Sequence, residues 1–216
     1  MLANDGFATN VLRQSNDASY TIIDDLKLMW DDELASDKKL VTYSLSHPNP
    51  TRWYAKPKVN FVWSAANDAR FTYALTNIDT KEVVFSGTTT VNNLTETVTE
   101  SGVYDFVVKA YKGNTFLGAG STTVRIDLTP PDDIDVVISH YSIKVGEIVR
   151  MIIRGEDHES GLSGNYYVSI DGSTLLPVGG VVFIPFTTRG TQEVVVRVFD
   201  KAGNYVDRTK VIKVGQ

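Results

Sequence analysis

The chain contains no cysteine, which excludes disulfides, thiolate metal sites and a cysteine nucleophile, and leaves packing and hydrogen bonds to hold the fold. Histidine is nearly as scarce: there are three, His47, His140 and His158, and no two stand at the spacing of a zinc site or a helix-face metal pair. Serine is abundant, but no Gly-x-Ser-x-Gly elbow occurs. No glycine cluster is followed by the strand-to-helix change of a phosphate-binding loop. Apolar runs stay well short of the roughly 18 residues of a membrane-spanning helix, and Met1 is followed by neither a basic stretch nor an apolar signal core. The net charge is −5, spread as −4 over residues 1–40, +1 over 41–127 and −2 over 128–216. No segment therefore carries the basic field that nucleic acid or an anionic membrane requires. These absences lead to the expectation of no catalytic residue, no cofactor, no nucleic-acid partner and no membrane contact from this chain.

What is present is β pattern. From residue 41 onward, period-two alternation of β-branched and aromatic residues is broken by Gly, Asn and Asp turns. Strands are expected near Val59–Trp63, Phe71–Thr76, Glu82–Ser86, Thr89–Val98, Val103–Tyr111 and Thr115–Ile126. After "DLTPPDD" the rhythm restarts, with strands near Ile134–Ser139, Glu147–Gly155, Tyr166–Ile170, Val181–Phe186, Thr191–Phe199 and Tyr205–Val214. Pro130 and Pro131 cannot donate to a β-ladder and stiffen the crossing, which makes 127–133 the domain boundary. Two stretches, "YDFVVKAYKGNTFLGAGSTTVRI" and "QEVVVRVFDKAGNYVDRTKVIKV", share one plan of long strand, glycine turn and long strand, an internal repeat of about 90 residues. Gly113 and Gly203 are expected to supply the positive φ of those turns.

Residues 24–40, "DDLKLMWDDELASDKKL", break the rhythm. Leu26, Met29, Trp30, Glu33 and Leu34 fall at spacings of three and four, which reads either as a short amphipathic helix capped by Asp24 or Asp25 or as a solvated acidic linker. The fold class that follows is all-β: two tandem immunoglobulin-like β-sandwiches, residues 41–127 and 128–216, preceded by a short β-hairpin (1–23) and a helical or irregular linker (24–40). Tyr104, entering a long strand, stands where a tyrosine corner places its hydroxyl against upstream backbone, while the second half has Gln192 there, so its corner is absent or built differently. Trp63 is expected to face the core, in the packing role that a disulfide fills elsewhere.

Three stretches carry a resemblance to known families. "HPNPTRWY" at His47–Tyr54 with "NFVWS" at Asn60–Ser64 resembles the opening of immunoglobulin-like modules on bacterial surface proteins. "IDLTPPDD" with "DHESGLSG", "VSIDG" and "RVFDKAGNY" looks like the bacterial immunoglobulin-like repeat built on a Thr-Pro-Pro linker, an Asp-x-x-Ser-Gly turn and an Asp-x-Ala-Gly-Asn hairpin. "LANDGFATNVL" with "ASYTI" resembles the last hairpin of cohesin-like modules, which often precede such repeats on surface proteins. The resemblance implies a chain that begins inside the last strands of a cohesin-like module and continues into two immunoglobulin-like modules. If the chain is instead complete, Met1–Ile23 is a strand-forming segment that seeks a sheet edge, on its own domains or on a neighbouring copy.

Two sets of residues are candidates for a site. Trp53 and Tyr54 follow a proline pair, and an aromatic pair on a loop can stack on sugar rings or on a partner protein; the plainer reading has them cover the open end of the first sandwich. Asp157, Glu159 and Asp200 lie on turns that can converge at one end of the second sandwich, while Asp127, Asp132 and Asp133 line the linker. Hard oxygen ligands of this kind hold calcium between tandem modules. The plainer reading has these carboxylates capping turn amides, and no metal ligand is assigned from the sequence.

The functional expectation is a non-enzymatic extracellular protein of the bacterial cell surface, its sandwiches serving as stalk and as scaffold for a protein or cell-surface partner. The alternatives are a virion or filament component assembled by strand exchange through the N-terminal segment, and a carbohydrate-binding accessory module acting through Trp53 and Tyr54.

Overall fold

A computed structural model describes residues 39–64, 66 and 68–215. The hairpin expected over 1–23, and all but the last two residues of the helix or linker expected over 24–40, lie outside the described residues. Among the described residues sixteen strands make four sheets and there is no helix.

In the first half the strands are β1 (Thr42–Ser44), β2 (Trp53–Tyr54), β3 (Lys58–Trp63), β4 (Arg70–Asn77), β5 (Val83–Thr89), β6 (Asn93–Thr97), β7 (Gly102–Lys112) and β8 (Thr115–Ile126). They form a sheet ordered β1-β3-β6 and a second ordered β2-β8-β7-β4-β5. In the second half the strands are β9 (Asp132–Ile138), β10 (Ser142–Lys144), β11 (Ile148–Glu156), β12 (Leu162–Ile170), β13 (Leu176–Val178), β14 (Val181–Pro185), β15 (Gly190–Asp200) and β16 (Tyr205–Gly215). Their sheets are β9-β11-β14 and β10-β16-β15-β12-β13. Each strand of the first half has its counterpart eight places later, in the same neighbourhood. The repeat seen in the two terminal hairpins therefore extends to the whole topology, and the protein is a tandem pair of immunoglobulin-like or fibronectin-III-like β-sandwiches.

The alternation of side chains decides which face of each strand is buried. In β3, Val59, Phe61 and Trp63 point inward and are buried; in β7, Tyr104, Phe106, Val108 and Ala110 do the same. Phe61 stacks on Phe106 across the gap at 4.0 Å between ring centroids, and Trp63 meets Phe71 edge-on at 5.5 Å. The second core is aliphatic: Val194, Val196 and Val198 of β15 face Val149, Met151 and Ile153 of β11, and Phe186 is its one fully buried aromatic among the described residues.

The tyrosine corner is present. The Tyr104 hydroxyl donates to the carbonyl of Glu100 at 2.7 Å. In the second sandwich Gln192 is buried without that role; the end of β12 is tied to β15 by Asp171, held at φ 47°, whose carboxylate accepts the Glu193 amide at 2.7 Å and whose own N–H donates to the Glu193 carbonyl at 2.8 Å. Gly113 and Gly203 close the β7–β8 and β15–β16 hairpins at φ 61° and 106°, backbone that most side chains resist.

The structure differs from the sequence reading in three places. The single strand expected over Thr89–Val98 is two elements: Thr89 closes β5, its hydroxyl accepts the Val91 amide, and the chain crosses to the other sheet before β6. Strands β1, β2, β10 and β13 were not expected, being two or three residues long and without room for an alternation signal. Two of them, β2 and β10, run parallel to β8 and β16, at equivalent places in the two halves. Lastly, Lys39 and Leu40, counted with the linker, belong to the first sandwich. Leu40 is buried in its core and its amide donates to Ala119 of β8 at 2.8 Å. This approach is possible because residue 120 is glycine; a Cβ there would collide with the Leu40 carbonyl and the Thr42 hydroxyl.

Tyr104→Phe removes one hydrogen bond without opening a cavity, so it should cost about 1 kcal/mol by chemical denaturation, with a native spectrum retained. Gly120→Ala should push residues 39–42 away from β8, costing about 1–3 kcal/mol and markedly accelerating hydrogen exchange at the Leu40 amide; unchanged exchange would contradict this account of the entry segment.

Candidate functional site at the domain junction

The chain leaves β8 at Ile126 and enters β9 at Asp132, so a five-residue crossing carries the connection between the sandwiches. Its first residues remain tied to the first sandwich: the Asp127 amide donates to the Tyr54 carbonyl at 3.1 Å, and the Leu128 amide to the Ser101 hydroxyl at 2.9 Å. Asp127 is fully buried. Its Oδ1 accepts the Thr129 amide at 3.0 Å and the Thr129 hydroxyl at 2.9 Å, while its Oδ2 is buried with no hydrogen-bond partner.

From the second sandwich the "DKAGN" turn reaches this crossing. Asp200 accepts the amides of Gly203 and Asn204 on Oδ1, at 2.6 and 2.8 Å, and the Asn204 side-chain amide on Oδ2 at 2.7 Å. The turn so closed aims the Asn204 amide at the linker, where it donates to the carbonyls of Asp127 at 2.9 Å and Thr129 at 3.0 Å. The β11–β12 turn supplies Asp157, whose Oδ2 takes the Gly161 amide and the Ser160 hydroxyl. Asp127, Asp157 and Asp200 each place one carboxylate oxygen so that the three lie within 4.8 Å of one another. Burial pushes the Asp200 carboxyl above the usual carboxylate range; the Asp127 charge adds to this, and the donors from Asn204 and Gly203 pull against it.

Of the six acids that the sequence placed on these turns, the fold brings three together. Glu159 is exposed, as are Asp132 and Asp133, and Asp132 instead faces His158 at 3.2 Å. Asn204 and Thr129 escaped the sequence reading as junction residues. The Asp-Lys-Ala-Gly-Asn turn was visible as a hairpin signal, but only the tertiary fold shows what its last side chain meets. Beside the junction runs an open cleft with Arg52 on one side and Ser163, Tyr167, Phe199 and Lys201 on the other.

Trp53 and Tyr54 lie half-buried on β2 at the edge of their sheet. The Tyr54 hydroxyl accepts the Asn49 amide at 3.0 Å, and its ring meets the buried His47 edge-on at 4.7 Å; Trp53 stands 5.8 Å from the Arg125 guanidinium. His47 sits at a Ser–His contact, its Nδ1 2.7 Å from the Ser46 hydroxyl, but its Nε2 donates to the Lys56 carbonyl at 3.0 Å and Ser46 accepts the Asn60 amide at 2.8 Å. Both groups are thus engaged in holding backbone together. Nothing in this arrangement leaves the serine hydroxyl presented to a substrate.

No protein-family profile matches the chain, and no curated protein matches it. Among solved structures it is similar to the fibronectin(III)-like modules of Clostridium thermocellum CbhA, at 14% identity over 82% of this chain and 95% of that one, with a TM-score of 0.44. It is also similar to murine CEACAM1b, at 10% identity over 82% of this chain and all of that one, TM-score 0.45. A further similarity is to the PKD domain of the human VPS10 domain-containing receptor SorCS2, at 22% identity over 40% of this chain and 76% of that one, TM-score 0.34. At these scores the likenesses carry neither activity nor partner across; the sandwich assignment stands on sheet order and register.

Burial lowers the His47 pKa from 6.5, opposed by its bond to the Lys56 carbonyl. The unfolded chain then binds the proton more readily, so the contribution of His47 to stability is complete above about pH 6.5 and is lost as the pH falls through the lowered folded value. His47→Gln should therefore flatten the fall in melting temperature between about pH 7.5 and about pH 5; parallel curves for the two proteins would contradict the neutral, buried assignment.

Proposed function

We propose that the chain is a non-enzymatic segment of an extracellular bacterial surface protein, in which the two sandwiches serve as a spacer that also offers a face to a partner. The reading is carried by the joint. A crossing stiffened by Pro130 and Pro131 is clasped by the Asn204 amide, which donates to the carbonyls of both Asp127 and Thr129, and a clasp of this kind suits a module that transmits position better than one that swings freely. Immunoglobulin-like sandwiches commonly serve as spacers or interaction modules, although the fold hosts many functions.

The interaction part rests on the outer face of the three-stranded sheet of the second sandwich. There Ile148, Val137, Val181 and Phe183 stand exposed, Phe183 by 63%, across paired strands in which Arg150 opposes Phe183 and Ile152 opposes both Val181 and Val137. Apolar residues grouped on one sheet face, with Arg150 among them, suit contact with another protein.

Antibody raised against the purified chain should label intact source cells. Labelling only after permeabilisation would overturn the surface reading, and labelling of released particles would replace it with the virion alternative.

A further inference from the structure

The junction carboxylates lack the counter-charge their burial requires. Asp127 and Asp200 are 0% and 2% exposed and Asp157 is half-buried, yet among the described residues no lysine, arginine or histidine forms an ion pair with any of the three. Most of their oxygens are committed to N–H and O–H donors from their own turns, which orients the carboxylates but leaves their charge in place. Asp127 Oδ2 is different in kind: it is fully buried, accepts no hydrogen bond and belongs to a carboxylate in the cluster. Buried carboxylate oxygens ordinarily have a donor, a cation or a proton.

We propose that Asp127, Asp157 and Asp200 bind a calcium ion that fastens the end of the first sandwich to two turns of the second. The dimensions fit. Calcium takes oxygen ligands at about 2.3–2.6 Å, so two oxygens on opposite sides of one ion lie up to about 5 Å apart, and the three oxygens here fall within 4.8 Å of one another. The ligand type fits as well, since an all-carboxylate set is hard and anionic and suits calcium better than a transition metal. Its remaining coordination positions go to water or backbone oxygen, as is usual for this ion. The topology sets the consequence. Asp127 is bonded through its backbone to Tyr54 of the first sandwich, whereas Asp157 follows β11 and Asp200 ends β15. One ion held by all three would cross-link the domains beside the Asn204 clasp and hold the Pro-Pro crossing closed.

Calorimetric titration of the full 216-residue chain with calcium chloride, reaching about 10⁻³ M, covers the affinity range of extracellular calcium modules. One site per chain is expected. Calcium in hundredfold excess over its Kd should raise the melting temperature by roughly 5–10 °C relative to chelator and slow proteolysis within residues 127–133. Asp127→Asn and, separately, Asp157→Asn should each weaken binding at least about tenfold, as loss of one of three charged ligands demands. Asp132→Asn, at the exposed linker acid, should leave it unchanged. The pair of ligand variants guards against misfolding of either one, and each is checked for a native spectrum without calcium. No heat and no thermal shift would overturn the site. An equal response to magnesium, or one that survives both ligand variants, would overturn it too. Binding to the purified chain does not depend on where the cell places the protein, so failure of the surface reading and failure of this one are separate results.

Discussion

Without a disulfide, each sandwich keeps its two sheets together chiefly through the side chains that meet across the gap. In the first, that task falls on the contact between Phe61 of β3 and Phe106 of β7, stacked nearly parallel at 4.0 Å. Trp63, Phe71 and Tyr73 gather around it. Because side chains alternate along a strand, fixing Phe61 inward also fixes Val59 and Trp63 inward, and fixing Phe106 does the same for Tyr104 and Val108. The Tyr104 hydroxyl then reaches Glu100, and the register of β7 against β4 and β8 follows. The second sandwich meets the same demand with valine and isoleucine, whose branched side chains interdigitate between sheets without needing ring geometry.

The junction shows how local turn chemistry becomes interdomain architecture. Asp200 folds its turn by accepting two amides, a purely local act of the kind that aspartate performs in many loops. Since that turn ends β15, and β15 is held by pairing with β12 and β16, the Asn204 side chain is delivered to one place, the carbonyls of Asp127 and Thr129. Asp127 in its turn is held by Tyr54, on the short strand that pairs in parallel with β8. The same aromatic residue that drew notice as a loop contact thus contributes its backbone to the joint.

The long strands and the two-domain division were legible because they rest on signals within a few residues: alternation in β7, β8, β15 and β16, glycine in the hairpins, and a proline pair at the crossing. Short strands were not. β2 and β10 owe their existence to backbone pairing with the final strand of each sandwich, and a two- or three-residue segment carries no periodicity of its own. The break between β5 and β6 was missed for a related reason: Thr89–Val98 continues to read as β-prone sequence, and the change of sheet is made by a Thr89 side chain that takes a backbone amide. Of the acids, each could be placed on a turn, but nothing in their spacing separated Asp157 from Glu159, two residues away.

The sequence by itself determined the all-β class, the shared plan of the two long hairpins and the inward face of the strand that carries Phe61 and Trp63, since alternation and turn residues act over distances that the chain's own covalent geometry controls. Only the tertiary structure decided that Lys39 and Leu40 join the first sandwich, that the Asp171 carboxylate takes the Glu193 amide in the second, and that Asp127, Asp157 and Asp200 converge. Those outcomes depend on which strand lies beside which. The 73 residues from Asp127 to Asp200 become a separation of a few ångströms through sheet pairing and packing, which no local pattern encodes.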